Sequence, residues 1–128
     1  MPRFVLPTEI TLPRKKTKDK VFHLNLNDFR NTHYQTLSQA KRAFSPIVIP
    51  GYFTAEKIRI TYHIQKKTKR RFDTGNVFAI VDKFFLDWLV INEYIPDDNC
   101  NNVIYGSITG ENGCSKNQVI CHIEILEE

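Results

Sequence analysis

The residues best suited to chemistry are acidic side chains in the second half of the chain. Asp73 precedes a long apolar stretch, and Asp87 lies inside it. The pair Asp97 and Asp98 follows in a turn after Pro96. Carboxylates are among the oxygen ligands that Mg²⁺ takes in proteins, and a bound Mg²⁺ can activate water for hydrolysis. We therefore expect acids from separate segments to meet, although an Asp-Asp pair in a turn is also common on ordinary solvated surfaces.

The basic residues lie mostly in the first part of the chain. Residues 1–72 hold 16 Lys or Arg against four acidic residues, a net charge of +12. Residues 73–128 hold two against ten, a net charge of −8. A fold that keeps this separation presents cations for phosphates beside carboxylates for Mg²⁺. A solvated charge distribution without a partner is the alternative, but five cations fall together just before Asp73: Lys66, Lys67, Lys69, Arg70 and Arg71.

Asp73 and Asp87 belong to a predicted helix that runs to about residue 93. Residues 73–76 predict the turn that opens this helix, because Asp is a favoured N-cap residue. Successive helical residues advance by about 100° around the axis, so residues three and four apart share one face. The apolar stripe that we expect to face the core consists of Val77, Val81, Phe84 and Trp88.

Polar residues of the same helix lie on either side of that stripe. Asn76, Lys83 and Asp87 fall within about 40° of each other and border the core. Lys83 and Asp87 could equally form an ordinary surface pair at i,i+4 spacing. Asp82 lies on the opposite flank, so we expect it to be a surface residue and only a reserve candidate for the site.

Alternation of apolar and polar residues predicts the strands. It is strictest over residues 57–65, which predict the best strand in the chain. Residues 21–27 also alternate and lead into a polar loop at 27–31. Residues 4–12 are interrupted by prolines and predict an edge strand or a short ribbon.

The remaining elements decide the expected fold class. Helical spacing of apolar residues predicts a helix over about residues 32–44. Residues 103–109 and 119–126 flank a Gly-containing turn and predict a closing hairpin. The resulting order, β(β)αβαββ, predicts an α+β fold in which two main helices pack on a mixed β-sheet.

Size and composition indicate where such a protein works. A chain of 128 residues with 41% apolar content predicts one domain over residues 1–128, with a basic N-terminal strand and turn extension at 1–20. We expect a cytosolic protein without membrane contact, because no apolar run approaches a membrane span and the N-terminus lacks a secretion signal. Three cysteines without C-x-x-C spacing predict free thiols rather than a zinc site.

Three segments together resemble one known family. They are Arg71-Phe72-Asp73-Thr74-Gly75-Asn76, Lys83-x3-Asp87-Trp88-Leu89 and Ile95-Pro96-Asp97-Asp98-Asn99. Members of the RusA family of Holliday-junction resolvases, many of them encoded by phages or prophages, show an Arg-rich strand end leading into Asp-x-Asp-Asn, then a helix with Lys-x3-Asp, then a turn ending in Asp-Asp. The spacing from Lys83 to Asp98 fits without a gap. The likeness covers roughly residues 21–104.

The resemblance implies a function and roles for particular residues. It implies a Mg²⁺-dependent endodeoxyribonuclease that resolves four-way junctions or other branched double-stranded DNA as a homodimer, in the cytosol of a bacterium or a phage-infected host. Asp73, Lys83 and Asp98 match the family's catalytic residues. Asp87 and Asp97 are added as candidate metal ligands, and Asn76 as a residue that orients a carboxylate or water. The cations expected to hold DNA phosphates are Lys15, Lys16, Lys18, Arg30, Lys66, Lys67, Lys69, Arg70 and Arg71.

The chain departs from the family pattern at two places. Gly75 replaces the second carboxylate of Asp-x-Asp, and about one helical turn is inserted between Asn76 and Lys83. Asp87, Asp97 or Asp82 are the residues available to replace the missing ligand. Two other functions stay open: a non-catalytic DNA-binding or regulatory protein on the same scaffold, and a Mg²⁺-dependent nuclease with less preference for branched DNA. A site of the family type requires Asp73 and Asp98 to lie within about 6 Å of each other.

Overall fold

The computed structural model describes residues 1–126, which form one α+β domain with a mixed sheet, and the predicted fold class is confirmed. No helix in this range is long and apolar enough to cross a membrane. The elements are, in chain order, β1 (Arg3–Leu6), β2 (Glu9–Leu12), β3 (Lys20–His23), α1 (Leu26–Asn31), α2 (Tyr34–Ala43), β4 (Lys57–Gln65), α3 (Thr74–Ile91), β5 (Val103–Glu111) and β6 (Gln118–Leu126).

The main sheet has four strands in the order β1-β6-β4-β5. Strand β4 occupies the predicted range and is the strand on which the sheet is built, with β5 parallel on one side and β6 antiparallel on the other. Its alternating pattern buries one face, which carries Ile58, Ile60, Tyr62 and Ile64. Helix α3 connects the parallel strands β4 and β5, as a crossover between parallel neighbours requires.

The predicted hairpin between the last two strands is wrong. Strands β5 and β6 form near the expected ranges, but β4 lies between them. The reason is that β4 can pair along both of its edges, so the chain between Glu111 and Gln118 has to pass over the end of β4 instead of turning tightly. Backbone bonds hold this crossing segment, including Cys114 N–H to Lys66 O at 2.9 Å and Gly113 N–H to Thr68 O at 2.7 Å.

The N-terminal segment is part of the core and not only an extension. Strand β1 pairs with β6 at the edge of the main sheet, and its Phe4 and Leu6 are fully buried. Strand β2 pairs with β3 in a separate two-stranded sheet. The prolines therefore divide residues 4–12 into an edge strand and one half of a ribbon, so both forms predicted for this segment occur.

Helices α1 and α2 follow the ribbon. The polar loop expected at 27–31 is instead the short helix α1, because the side chain of Asn25 accepts a hydrogen bond from Asp28 N at 2.8 Å and caps it. The strand predicted over 21–27 ends earlier for the same reason. Helix α2 lies within the predicted range of 32–44 and contacts strand β2.

Helix α3 positions most of the candidate residues. It begins at the predicted cap, where Asp73 Oδ1 accepts from Asn76 N at 3.2 Å, and it ends at Asn92. Val77, Val81 and Phe84 are buried as predicted, whereas Trp88 is only partly buried. The 18 residues of the helix span about 27 Å, so the two ends of α3 lie far apart in the molecule.

Candidate metal and nucleic-acid site

Asp82 lies at the centre of a hydrogen-bonded cluster that joins α3 to the sheet. Tyr62 of β4 donates its hydroxyl hydrogen to Asp82 Oδ1 at 2.5 Å, and Tyr105 of β5 donates to Asp82 Oδ2. The expectation that Asp82 is a surface residue is therefore wrong. The apolar stripe of the helix does not indicate this contact. Tyr62 does indicate it, because a tyrosine on a buried strand face usually needs a hydrogen-bond partner.

The environment of this cluster changes its acidity. Burial raises the pKa of the Asp82 carboxyl, the hydrogen bonds from Tyr105 and Tyr62 partly oppose that rise, and the negative charge of Asp98 adds to it. Burial and the neighbouring Asp82 also raise the pKa of both tyrosine hydroxyls. Asp98 therefore lies near enough to Asp82 for the two carboxylates to influence each other, although sixteen positions separate them along the chain.

A cavity of about 680 Å³, which we call the α2–α3 cavity, brings three predicted acids together. Asp87 reaches it from α3, and Asp97 and Asp98 reach it from the turn that follows the helix. Lys41 of α2 faces Asp87, with Lys41 Nζ 4.0 Å from Asp87 Oδ2. Asp87 is therefore paired with a cation from another helix and not with Lys83, its possible partner at i,i+4 spacing.

The two acids of the turn differ in their surroundings. Asp97 uses both carboxylate oxygens within the turn, because Oδ1 accepts from Asp98 N at 2.7 Å and Oδ2 accepts from Asn99 Nδ2 at 3.1 Å. These bonds shape the turn. The Asp98 carboxylate is exposed and lines the cavity, and its negative charge raises the pKa of Asp82. Asp98 is therefore the better ligand candidate of the pair.

Asp73 does not join these acids. Its carboxylate caps α3, and nine residues of helix separate it from Asp82, a rise of about 14 Å. Asp87 lies about 21 Å along the axis from Asp73 by the same rise. The expectation that Asp73 and Asp98 meet is not fulfilled, because a straight helix separates its cap from any residue beside its second half.

Asn76 and Lys83 also have defined places on α3. Asn76 Oδ1 accepts a hydrogen bond from Leu26 N at 3.0 Å, and this bond connects the start of α1 to α3. This contact uses the side-chain oxygen of Asn76, whereas a carboxylate would be oriented by the amide nitrogen, which is the donor. Lys83 is exposed, and helical geometry places it between Asp82 and Asp87 around the axis. Lys83 lies about 40° from Asp87 but about 100° from Asp82 around the axis, so it shares a face of α3 with Asp87 and not with Asp82.

The donor set can be compared with what Mg²⁺ requires. Among residues 1–126, no three His, Cys, Asp or Glu side chains lie close enough together to form a metal site by themselves. The predicted cage of Asp73, Asp87, Asp97 and Asp98 is therefore not formed as one group. Mg²⁺ often takes only one or two carboxylates and completes its shell with waters and substrate phosphates. Asp98, an exposed carboxylate that lines the cavity, is one candidate for such a ligand, and Asp82, whose pKa the charge of Asp98 raises, is a second.

The predicted cationic residues lie on three exposed segments. Lys15, Lys16 and Lys18 lie in the turn between β2 and β3, and Arg30 lies on α1. The segment of residues 66–71 is anchored at its backbone, for example where Asn112 Nδ2 donates to Lys69 O at 3.1 Å. In this segment Lys66 is half-buried, whereas Thr68 and four cations are exposed: Lys67, Lys69, Arg70 and Arg71. Phe72, which follows the segment, is half-buried.

Two cations of the cavity wall were missed in the sequence. Lys41 and Arg42 occupy the last turn of α2 and line the α2–α3 cavity. Their place in the sequence has another explanation, because the helix dipole favours cations near a helix C-terminus. Only the packing of α2 against strand β2 of the two-stranded sheet and against α3 brings them opposite Asp87 and Asp98.

Comparisons with known proteins add no family assignment. No family model and no curated protein matches this chain. The likeness to RusA resolvases therefore depends on the sequence segments within residues 21–104 alone.

Proposed function

We propose that this chain is a Mg²⁺-dependent endodeoxyribonuclease of the RusA type that cuts branched DNA such as a four-way junction, in the cytosol of a bacterium or a phage-infected cell. The observation that carries the proposal is the position of Asp82, whose carboxylate is held by Tyr62 and Tyr105 where α3 meets the sheet, while Asp98 lines the neighbouring cavity as an exposed carboxylate. In this proposal Asp82 takes the place of the carboxylate missing at Gly75. The site therefore lies beside the second half of α3 and not at its N-terminus.

The residues around these carboxylates have separate roles in the proposal. Asp98 and Asp82 hold Mg²⁺, which when bound supplies an activated water and stabilises charge on the phosphate. Tyr62 and Tyr105 fix the orientation of Asp82 by donating to its two oxygens. Lys83, an exposed cation that follows Asp82 on α3, pairs with a phosphate oxygen of the strand that is cut.

The cationic segments hold the rest of the DNA. Residues 66–71 and the turn between β2 and β3 contact phosphates, which positions a duplex without reading its bases. Recognition then depends on the shape of the branch. Paired cuts in a four-way junction require two active sites, so we propose that the chain works as a homodimer.

Incubation of the protein with a synthetic four-way junction and Mg²⁺ tests this function. We expect the wild type to nick the junction, and we expect Asp98→Asn and Asp82→Asn each to lower the cleavage rate about a hundredfold while junction binding remains. Glu9→Gln, which neutralises an exposed acid on β2 outside the proposed DNA contacts, is the matched control and should cleave as the wild type does. Equal cleavage rates for a linear duplex and for the junction would indicate a less selective nuclease and not a resolvase.

One observation favours the second candidate, a DNA-binding protein without catalysis. Asp73 is engaged as a helix cap, and within residues 1–126 no three metal-ligating side chains form a group. If the wild type binds the junction but leaves it intact with Mg²⁺ and with Mn²⁺, the nuclease proposal is wrong and the binding function replaces it.

A further inference from the structure

The α2–α3 cavity has walls of three chemical kinds. Its apolar wall includes Trp88 and Ile91, and Ile91 is 78% exposed, which is unusual for a large apolar side chain on a helix. Its basic wall consists of Lys41 and Arg42 at the end of α2. Its acidic wall includes Asp87 on α3. A volume of about 680 Å³ is in the range of cavities that hold small organic ligands.

We propose that this cavity binds one unstacked nucleotide of a DNA strand. The proposal rests on the proposed function, because it assigns a subsite to the same DNA substrate. The ring of Trp88 already stacks on Phe85 and Tyr94, so the base packs against Ile91 and the part of Trp88 that lines the cavity. Arg42 and Lys41 hold the 5′-phosphate of that nucleotide, and Asp87 accepts hydrogen bonds from an amino group on the edge of the base.

The internal ion pair of the cavity leaves these groups available. Lys41 and Asp87 stand 4.0 Å apart, and each side chain is about two-fifths exposed. Exposed pairs of this kind contribute little to folding stability. Either partner can therefore turn to a ligand at small cost. A nucleotide supplies both a negative phosphate for the cations and a hydrogen-bond donor for the carboxylate, so it matches both walls at once.

The position of the cavity also suits a branched substrate. Asp98 lines it and is one of the two proposed Mg²⁺ ligands. A nucleotide in the cavity would thus lie next to the phosphate that is cut. Unpaired bases are most accessible at the branch point, where stacking is already interrupted, and removing a base from an intact duplex costs several kcal/mol. Uptake of a base here would favour cutting at branches over cutting in a duplex.

Intrinsic fluorescence provides a direct test, because Trp88 is the only tryptophan in the chain. The protein is titrated with dCMP, with deoxycytidine and with inorganic phosphate, and indole emission is excited at its red edge, where nucleotides absorb little. We expect saturable quenching by dCMP, weaker quenching by deoxycytidine and none by phosphate alone. Arg42→Ala should weaken dCMP binding about tenfold and leave deoxycytidine binding unchanged. Asp87→Ala should weaken the binding of both.

The control variant and the result that would refute the nucleotide site both come from the same titrations, without a cleavage assay. Lys116→Ala removes an exposed cation from the segment between β5 and β6 and should leave every titration unchanged. The proposal is wrong if dCMP gives no saturable quenching, or if the affinity for dCMP is the same in the wild type, in Arg42→Ala and in Asp87→Ala. Because these titrations contain neither Mg²⁺ nor a junction, an inactive nuclease that still binds dCMP through Arg42 and Asp87 would refute the proposed catalysis and leave the nucleotide site intact.

Discussion

Tyr62 on strand β4 donates its hydroxyl hydrogen to the carboxylate of Asp82 on helix α3, with 2.5 Å between the two oxygens. The bond joins the middle strand of the sheet to the helix that covers it. It also explains how an acid is tolerated where α3 meets the sheet. Tyr62 is 1% exposed, so its hydroxyl would otherwise be buried without a partner.

Removal of this hydrogen bond should destabilise the protein. We expect Tyr62→Phe to lower the free energy of unfolding by about 1 to 3 kcal/mol, because a partly buried carboxylate loses one of its two donors. Denaturant unfolding followed by circular dichroism measures the change. Tyr105→Phe is the comparison: Tyr105 is 42% exposed, so water can replace its hydroxyl and the loss should be smaller. Equal stability of Tyr62→Phe and wild type would contradict the importance of the bond.

The raised pKa of Asp82 predicts a dependence of stability on pH. A carboxyl whose pKa is higher in the folded state holds its proton more tightly there, so it favours folding at low pH. That contribution is fully present below the ordinary aspartate pKa of about 4 and is lost as pH rises through the raised value. We expect Asp82→Asn, which cannot ionise, to lose less stability than the wild type as the pH rises above about 4.

Thermal unfolding of both proteins at several pH values measures this difference. Asp19→Asn serves as control, because Asp19 is exposed and its substitution should leave the shape of the pH profile unchanged. Parallel profiles for wild type and Asp82→Asn in this pH range would show that Asp82 does not titrate as its burial requires.

Gly75 offers a way to separate the two possible metal positions. A Cβ atom at Gly75 would meet nothing closer than Asp73 Oδ1 at 3.5 Å, so Gly75→Asp fits and restores the carboxylate of the RusA pattern. We expect a stability change within about 1 kcal/mol, because better helix propensity and a favourable dipole interaction offset repulsion from Asp73. With the site at Asp82 and Asp98, junction cleavage should stay the same. A marked increase in cleavage would place the metal at Asp73 instead.

The cationic segment of residues 66–71 predicts a salt effect on DNA binding. We expect the double variant Lys69→Ala and Arg70→Ala to weaken binding to junction and duplex alike, because phosphate contacts carry no sequence information. The slope of log affinity against log salt should fall by about two units if both cations contact phosphates. Fluorescence anisotropy at several salt concentrations measures the slope.

Lys57→Ala is the matched control for this experiment. Lys57 begins β4, and nine strand residues, about 30 Å, separate it from the cationic segment. Its loss should leave the slope unchanged. The same reduction for Lys57→Ala and for the double variant would indicate that net charge alone governs binding.

Local sequence was sufficient for the elements with a strong short-range signal. The alternation of residues 57–65 predicted β4 within its observed bounds, and the cap at Asp73 predicted the start of α3. These features depend on side-chain periodicity and on hydrogen bonds between residues a few positions apart. Helix α1 was missed because its cap at Asn25 also suits a turn, and so short a helix carries little periodic signal.

Tertiary structure alone decided which distant residues meet. Sequence showed the acids between Asp73 and Asp98, but the rigid length of α3 keeps Asp73 away from Asp98, and the pairing of β4 with β5 brings Tyr62 and Tyr105 to Asp82. The order of strands depends on which edges are free when the chain returns, and this is not encoded in any single segment. Periodicity therefore specified the helix and the strand, whereas their packing decided that Tyr62 and Tyr105 meet Asp82.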